Sequence, residues 1–114
     1  MSARYRERAD ATLFDRYLDR CTGLVVFTAG PERIRYGRKN GRKCSFNPPR
    51  IKPLDTSGAG DSFRAGMVYG LLEQWSDAEC VRFASALAAM TCLRFPGVLQ
   101  SPSRAEVQSY LQRL

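Results

Sequence analysis

Three prolines within six positions, Pro48, Pro49 and Pro53, bar a helix from the middle of this 114-residue chain. Proline has no N–H to donate, and its ring drives the residue before it out of the α region. The chain is therefore divided. Its β signals lie ahead of the prolines. One N-terminal segment aside, its helical signals lie behind them.

Ahead of the prolines, Tyr5 to Cys21 reads as an amphipathic helix, with Leu13, Phe14, Tyr17 and Leu18 at helical spacing and Gly23 as a stop. Leu24-Val25-Val26-Phe27 is a short apolar run of β-formers. Such a run suits a strand buried on both faces, as in a parallel sheet under helices. Thr28-Ala29-Gly30-Pro31 turns the chain. Ile34 to Phe46 reads as a hairpin about Asn40-Gly41, a pair suited to a type I′ turn. Its mostly polar arms place it at an exposed position or a sheet edge, where lysine and arginine discourage further pairing.

Behind the prolines, Gly60 to Gln74 forms the first of three helices. Ala65, Val68, Leu72 and Trp75 line one side of it, with Phe63, Met67 and Leu71 beside them. Ser76-Asp77-Ala78-Glu79 has the form of a capping box and opens a helix to about Arg94, ended by Pro96-Gly97. Within it, Ala84, Ala86, Ala88 and Ala89 permit close packing. Ser103-Arg104-Ala105-Glu106 is a second box, opening the last helix through Tyr110 and Leu111. Strand, hairpin and helices together imply an α/β layer architecture, with room for one domain.

Composition narrows the chemistry. Apolar residues make up 44% of the chain, enough for a core, and no run of about 18 of them suggests a membrane span. The charged N-terminus lacks an apolar signal-peptide core, so a cytoplasmic protein is expected. There is no histidine, which excludes Ser-His-Asp and Cys-His catalysis. A general base must then be a carboxylate, a lysine or a tyrosine. Cys21, Cys44, Cys80 and Cys92 match no metal-ligand spacing and read as reduced, small apolar residues. The net charge of +7 comes from the segment between Pro31 and Pro53, where eight basic residues face only Glu32; the remainder holds ten basic and ten acidic residues. Gly37 to Cys44 is not a Walker A loop, because the glycine spacing fails and Cys44 replaces the magnesium-binding hydroxyl. A solvated hairpin is the usual form of such a basic run. Nucleic acid is disfavoured as a partner, since no nucleic-acid-binding fold accompanies it.

The densest chemistry is Asp55-Thr56-Ser57-Gly58-Ala59-Gly60-Asp61-Ser62-Phe63. Gly58, Ala59 and Gly60 have almost no side chains, so their N–H groups can approach an anion closely. They lead into a helix, whose first amides lack intrahelical acceptors and carry partial positive charge. Together these make a phosphate cradle. Asp61, in the first turn, is placed to take a proton from a hydroxyl attacking a phosphoryl group. The bland alternative is an aspartate that only caps a helix after a glycine turn.

This nonapeptide, followed by Ala65-Gly66, resembles the second signature of ribokinase-like (PfkB-type) carbohydrate kinases. Val25 to Gly30 is similar to the family's strand and Thr-x-Gly turn, although Arg33 stands where a further glycine is usual. The resemblance runs from about residue 20 to residue 114. It implies the C-terminal part of a three-layer α/β/α fold, a partial kinase domain over residues 1–114, with the lid and the sugar-binding part of the family lying elsewhere. It implies ATP-dependent phosphorylation of a sugar or related hydroxyl compound, with Asp61 as catalytic base and the amides at Gly58, Ala59, Gly60 and Asp61 as anion hole. Nucleotide contacts are implied at Thr28, Ala29, Gly30, Glu32, Arg33, Gly60, Asp61 and Ser85. A monovalent cation, K+, is implied at Asp55, Ser57, Cys92, Phe95 and Gly97. Mg2+ is an expected cofactor, held mostly by residues outside this chain. The expected partners are ATP, a small hydroxyl-bearing substrate, and a homodimer mate or complementing chain. The alternatives are a non-catalytic remnant that binds nucleotide weakly or needs a partner chain, and a basic nucleic-acid-binding module.

Overall fold

A computed structural model of the chain describes residues 3–28, 33–52, 54, 56, 58–93 and 102–113. Two compact units divide it, Met1–Asn47 and Pro48–Leu114. The boundary falls at the first of the three prolines.

The first unit contains helix α1 (Ala3–Arg20) and strands β1 (Leu24–Phe27), β2 (Ile34–Arg38) and β3 (Cys44–Phe46). They pair in the order β1-β2-β3, both pairs antiparallel, with Val26 opposite Tyr36 and Tyr36 opposite Cys44. Phe14 and Leu18, one helical turn apart on α1, pack on Val25, with Cys21 and Phe27 beside them. Phe27 meets Phe14 and Tyr17 edge-on, at centroid distances of 5.6 and 5.4 Å.

Two expectations are corrected here. Among the described residues β1 lies at the edge of an antiparallel sheet, and only Val25 in it is buried. Val25 and Phe27 share the face that meets α1, because strand residues two apart point the same way. The hairpin is present, but its first arm is the central described strand, with Ile34 and Tyr36 buried. Its turn also differs from a type I′ pair at Asn40-Gly41. The Gly41 N–H donates to the Arg38 carbonyl at 2.9 Å, which puts Lys39 and Asn40 at the centre. Only Asn40 has positive φ, at 62°. A type I′ turn needs positive φ at both central residues.

The second unit contains α2 (Ala59–Leu72), α3 (Asp77–Cys92) and α4 (Arg104–Gln112). Both capping serines act as expected. The Ser76 hydroxyl accepts from the Glu79 N–H at 3.2 Å. Ser103 and Glu106 form the full reciprocal box, both bonds 3.2 Å. Helix α2 stops two residues before Gln74. The Trp75 N–H donates to the Gly70 carbonyl and the Gln74 N–H to the Leu71 carbonyl, the paired bonds of a Schellman motif. Gln74 fills its left-handed position at φ 62°, where glycine is usual.

The apolar positions of α2 are only partly buried. Met67 is buried, but so are Gly66 and Gly70, while Ala65, Val68, Leu71 and Leu72 are exposed. The glycines decide which face packs. A Cβ at Gly66 would lie 2.8 Å from Ala84 Cα, and one at Gly70 would lie 2.7 Å from Cys80 Sγ. Helix α3 thus approaches to a distance that only glycine permits. It is the centre of the unit, with Cys80, Val81, Phe83, Ala84, Ala86 and Ala89 buried. Val107 of α4 seats against Phe83, Ala86 and Met90. Tyr69, Trp75 and Phe83 form an aromatic cluster with centroids 5.1 to 5.7 Å apart, and the Arg104 guanidinium lies over Tyr69 and Trp75. Cys21, Cys44, Cys80 and Cys92 form no disulfide. Ala29, Gly30 and Pro31 of the expected turn, and the Pro96-Gly97 stop, lie outside the described residues.

Candidate active site

The site forms where the chain enters α2. Gly58 is the N-cap residue, at φ 77° and ψ 0°. No other described glycine has positive φ. A side chain there would meet the backbone, so glycine is required by conformation. The Gly58 carbonyl accepts the first helical bond from the Ser62 N–H at 2.9 Å. The Ala59 N–H turns back to the Thr56 carbonyl at 3.3 Å, a long bond. Gly60 and Asp61 follow in the first turn, where helix geometry supplies no i−4 acceptor within the helix. A Cβ at Gly60 would meet no described atom within 4 Å.

Asp61 projects from the same turn with 86% of its side chain exposed. Its Oδ1 lies 3.4 Å from Nη1 of Arg64, which is also exposed. Such a pair is worth little in water and yields readily to another partner. A base packed into the core could not meet a substrate; Asp61 is not so placed. The start of the helix is anchored from behind. Oγ1 of Thr91, a fully buried residue of α3, lies 2.9 Å from the Leu87 carbonyl and 3.2 Å from Ser62 Oγ. With one proton to give, the Thr91 hydroxyl donates to the carbonyl and accepts from Ser62. Thr91 drew no notice in the sequence, because a threonine inside an alanine-rich helix carries no motif.

The other expected site residues are dispersed. Ser85 belongs to the same unit but is only 4% exposed, and its hydroxyl donates to the Val81 carbonyl one turn back in α3 at 2.8 Å. Cys92, at the end of α3, is buried, and its carbonyl accepts from the Leu54 N–H at 2.8 Å. That bond ties the segment approaching the cradle to α3. Thr28 and Arg33 lie in the first unit, both exposed. Ala29, Gly30, Glu32, Asp55, Ser57, Phe95 and Gly97 lie outside the described residues. No group of three or more histidine, cysteine, aspartate or glutamate residues that could hold a metal occurs among the described residues.

A glycine-capped helix start with an exposed carboxylate in its first turn is a form that anion sites take. Comparison with known proteins gives the family. The model of the pfkB family carbohydrate kinases matches residues 8–103. The chain belongs to this family. A 5-dehydro-2-deoxygluconokinase of Clostridium beijerinckii is 33% identical over 84 residues, which are 74% of this chain and 25% of that one. Among solved structures, a ribokinase of Thermotoga maritima superposes with a TM-score of 0.79 at 28% identity, covering 89% of this chain and 34% of that one. A ribokinase of Arabidopsis thaliana, solved with ribose and ATP, superposes with a TM-score of 0.70 at 27% identity, over 78% of this chain and 29% of that one. The fold is therefore ribokinase-like α/β. This pfkB-family chain spans between a quarter and about a third of the length of these relatives.

Proposed function

We propose that the chain is the phosphoryl-transfer portion of an ATP-dependent carbohydrate kinase. The observation that carries this reading is the entry to α2, where Gly58 holds φ 77°, Gly60 faces open space and Asp61 stands exposed in the same turn. In this proposal Asp61 accepts the proton of an acceptor hydroxyl as its oxygen attacks the γ-phosphorus of ATP. The amides from Gly58 to Asp61, together with the helix N-terminus, stabilise the charge gathering on the transferred group. ADP is the leaving group. The Ala59 amide joins only by exchanging its long bond to Thr56 for the phosphate. Mg2+ would neutralise phosphate charge when bound with the nucleotide; the described residues of this chain are assigned no ligand to it.

The nucleotide contacts at Thr28, Ala29, Gly30, Glu32, Arg33 and Ser85, and a K+ at Asp55, Ser57, Cys92, Phe95 and Gly97, belong to the same proposal. A hydroxyl contact from Ser85 requires it to leave the Val81 carbonyl. A sugar acceptor is supported by the sugar kinases that the chain resembles, and a cytoplasmic location by its need for ATP. Asp61→Asn tests the assignment, in the chain joined to the remaining two thirds of a kinase of this family. ADP release should fall by at least about a thousandfold, a loss within reach of a general base acting with positioning. Nucleotide affinity should change less than about threefold. Unchanged turnover would refute the role.

A second reading is favoured by one observation, the quarter to a third of a relative's length that the chain spans. Positioning and charge neutralisation supply most of phosphoryl-transfer catalysis. A base and a cradle alone are then a nucleotide-binding portion that needs a further part of the fold for activity.

A further inference from the structure

The basic segment of the chain is folded into a turn that runs beyond its own ladder. Strands β2 and β3 pair from Ile34 opposite Phe46 to Tyr36 opposite Cys44, and their pairing stops there. The chain then reverses through Arg38, Lys39, Asn40, Gly41, Arg42 and Lys43, all of them exposed. The bond from the Gly41 N–H to the Arg38 carbonyl closes the reversal, with Asn40 left-handed at φ 62°. Four cations are thereby held in one six-residue tip, and the sequence from Arg33 to Pro53 holds no acid. Lys43 is paired with Asp15 of α1 at 2.7 Å. The described ion pairs include none at Lys39 or Arg42.

Packing does not call for this cluster, since like charges at such spacing repel. Protection of a sheet edge does not account for it either. Strand β3, the edge strand beside it, is Cys44-Ser45-Phe46 and carries no charge. The cations sit beyond the edge that they would guard. A dense array of negative charge is what they fit.

The composition of the tip decides between such arrays. It contains no apolar or aromatic side chain. Stable attachment to a bilayer takes an apolar element beside a basic patch. Binding of single strands takes aromatic faces on which bases stack. Tyr36 of the adjoining strand is only 8% exposed and offers none. The phosphate backbone of a duplex asks for neither. It presents one negative charge per about 1.7 Å of axis, and the forked guanidinium groups of Arg38 and Arg42 suit its oxygens. The lack of a base-reading fold bears on sequence recognition; backbone contact requires none.

We propose that the tip between β2 and β3, through Arg38, Lys39, Arg42 and Lys43, is a sequence-independent contact for the phosphate backbone of a nucleic-acid duplex. This surface does not rest on the kinase reading. The tip lies wholly within the first unit, and none of its four cations belongs to the Asp61 site. Each phosphate that it neutralises releases a condensed counterion, so binding weakens steeply as salt rises.

The test uses the whole chain and a fluorescein-labelled DNA duplex of about 20 base pairs, followed by anisotropy from about 50 to about 200 mM KCl. With four phosphates neutralised, affinity should fall about 150-fold over that range, a log–log slope of about −3.6. Lys39→Gln with Arg42→Gln should bind at least about tenfold more weakly at the lower salt and flatten the slope by about two. Lys39→Arg with Arg42→Lys keeps the charge and should bind within about threefold of the parent. Arg82→Gln with Arg113→Gln removes two exposed charges from the second unit and should also stay within about threefold. No binding of the duplex at the lower salt, a slope indifferent to the tip glutamines, or an equal loss in the Arg82 and Arg113 pair would each overturn the proposal. Capture by phosphatidylserine vesicles in place of the duplex, lost with the tip glutamines, would overturn it in favour of a membrane surface.

Discussion

Gly58 and Gly60 are two residues apart and do different work. Gly58 holds a left-handed backbone at φ 77°, so its lack of a side chain satisfies the chain's own geometry. Gly58→Ala should lower stability by about 1 kcal/mol, read from the midpoint of urea unfolding. Gly60 is helical and faces open space, so its lack of a side chain serves whatever approaches from outside. Gly60→Ala should leave stability unchanged or raise it by up to about 1 kcal/mol through helix propensity. The same substitution should weaken binding of MgATP, measured by titration. Opposite signs at two neighbouring glycines would separate a conformational role from a ligand-facing one. Asp61 shows the limit of sequence reading at this scale. Its position in the first turn was legible from Gly58-Ala59-Gly60, but its exposure and its loose contact with Arg64 were not, since both depend on what packs nearby.

Among the elements, the α2–α3 contact positions the site, and its key residues carry no hydrophobic signal. The apolar periodicity of α2 marked Met67, which is buried, but also Ala65, Val68 and Leu72, which are exposed, and it passed over Gly66 and Gly70, on which α3 packs. Hydrophobic spacing locates surface that should be covered; it does not say by which neighbour. Gly66→Ala places a methyl 2.8 Å from a backbone atom of Ala84, which cannot give without moving a helix. Its gain in helix propensity is outweighed, and stability should fall by about 1–3 kcal/mol in thermal melts. The displacement should also loosen Ser62 from Thr91, and with it the start of α2. The capping boxes at Ser76 and Ser103 were legible because the bonds they make span only three residues. The hairpin was legible for the same reason, while its turn type was not, because loop length and strand register select it together.

At the scale of the whole molecule, charge and apolar surface are unevenly divided. The first unit holds eleven basic and five acidic side chains, the second seven and six. The Lys43–Asp15 ion pair, 2.7 Å long, joins two side chains that are both more than half exposed. Asp15→Asn should therefore change unfolding stability by less than about 0.5 kcal/mol, and salt should matter little to that difference. The apolar side chains left uncovered on α2 belong to a fold of which this chain spans about a third of a solved relative. By itself the sequence determined the helices and strands and the place of Asp61 in the first turn behind Gly58 and Gly60, because each depends on interactions within a few residues. It also determined the family, through a contiguous motif. Only the tertiary structure decided which face of α2 meets α3 and that Thr91 holds the start of α2 through Ser62. Each of those turns on distances between residues far apart in the chain, set by how closely two backbones can approach.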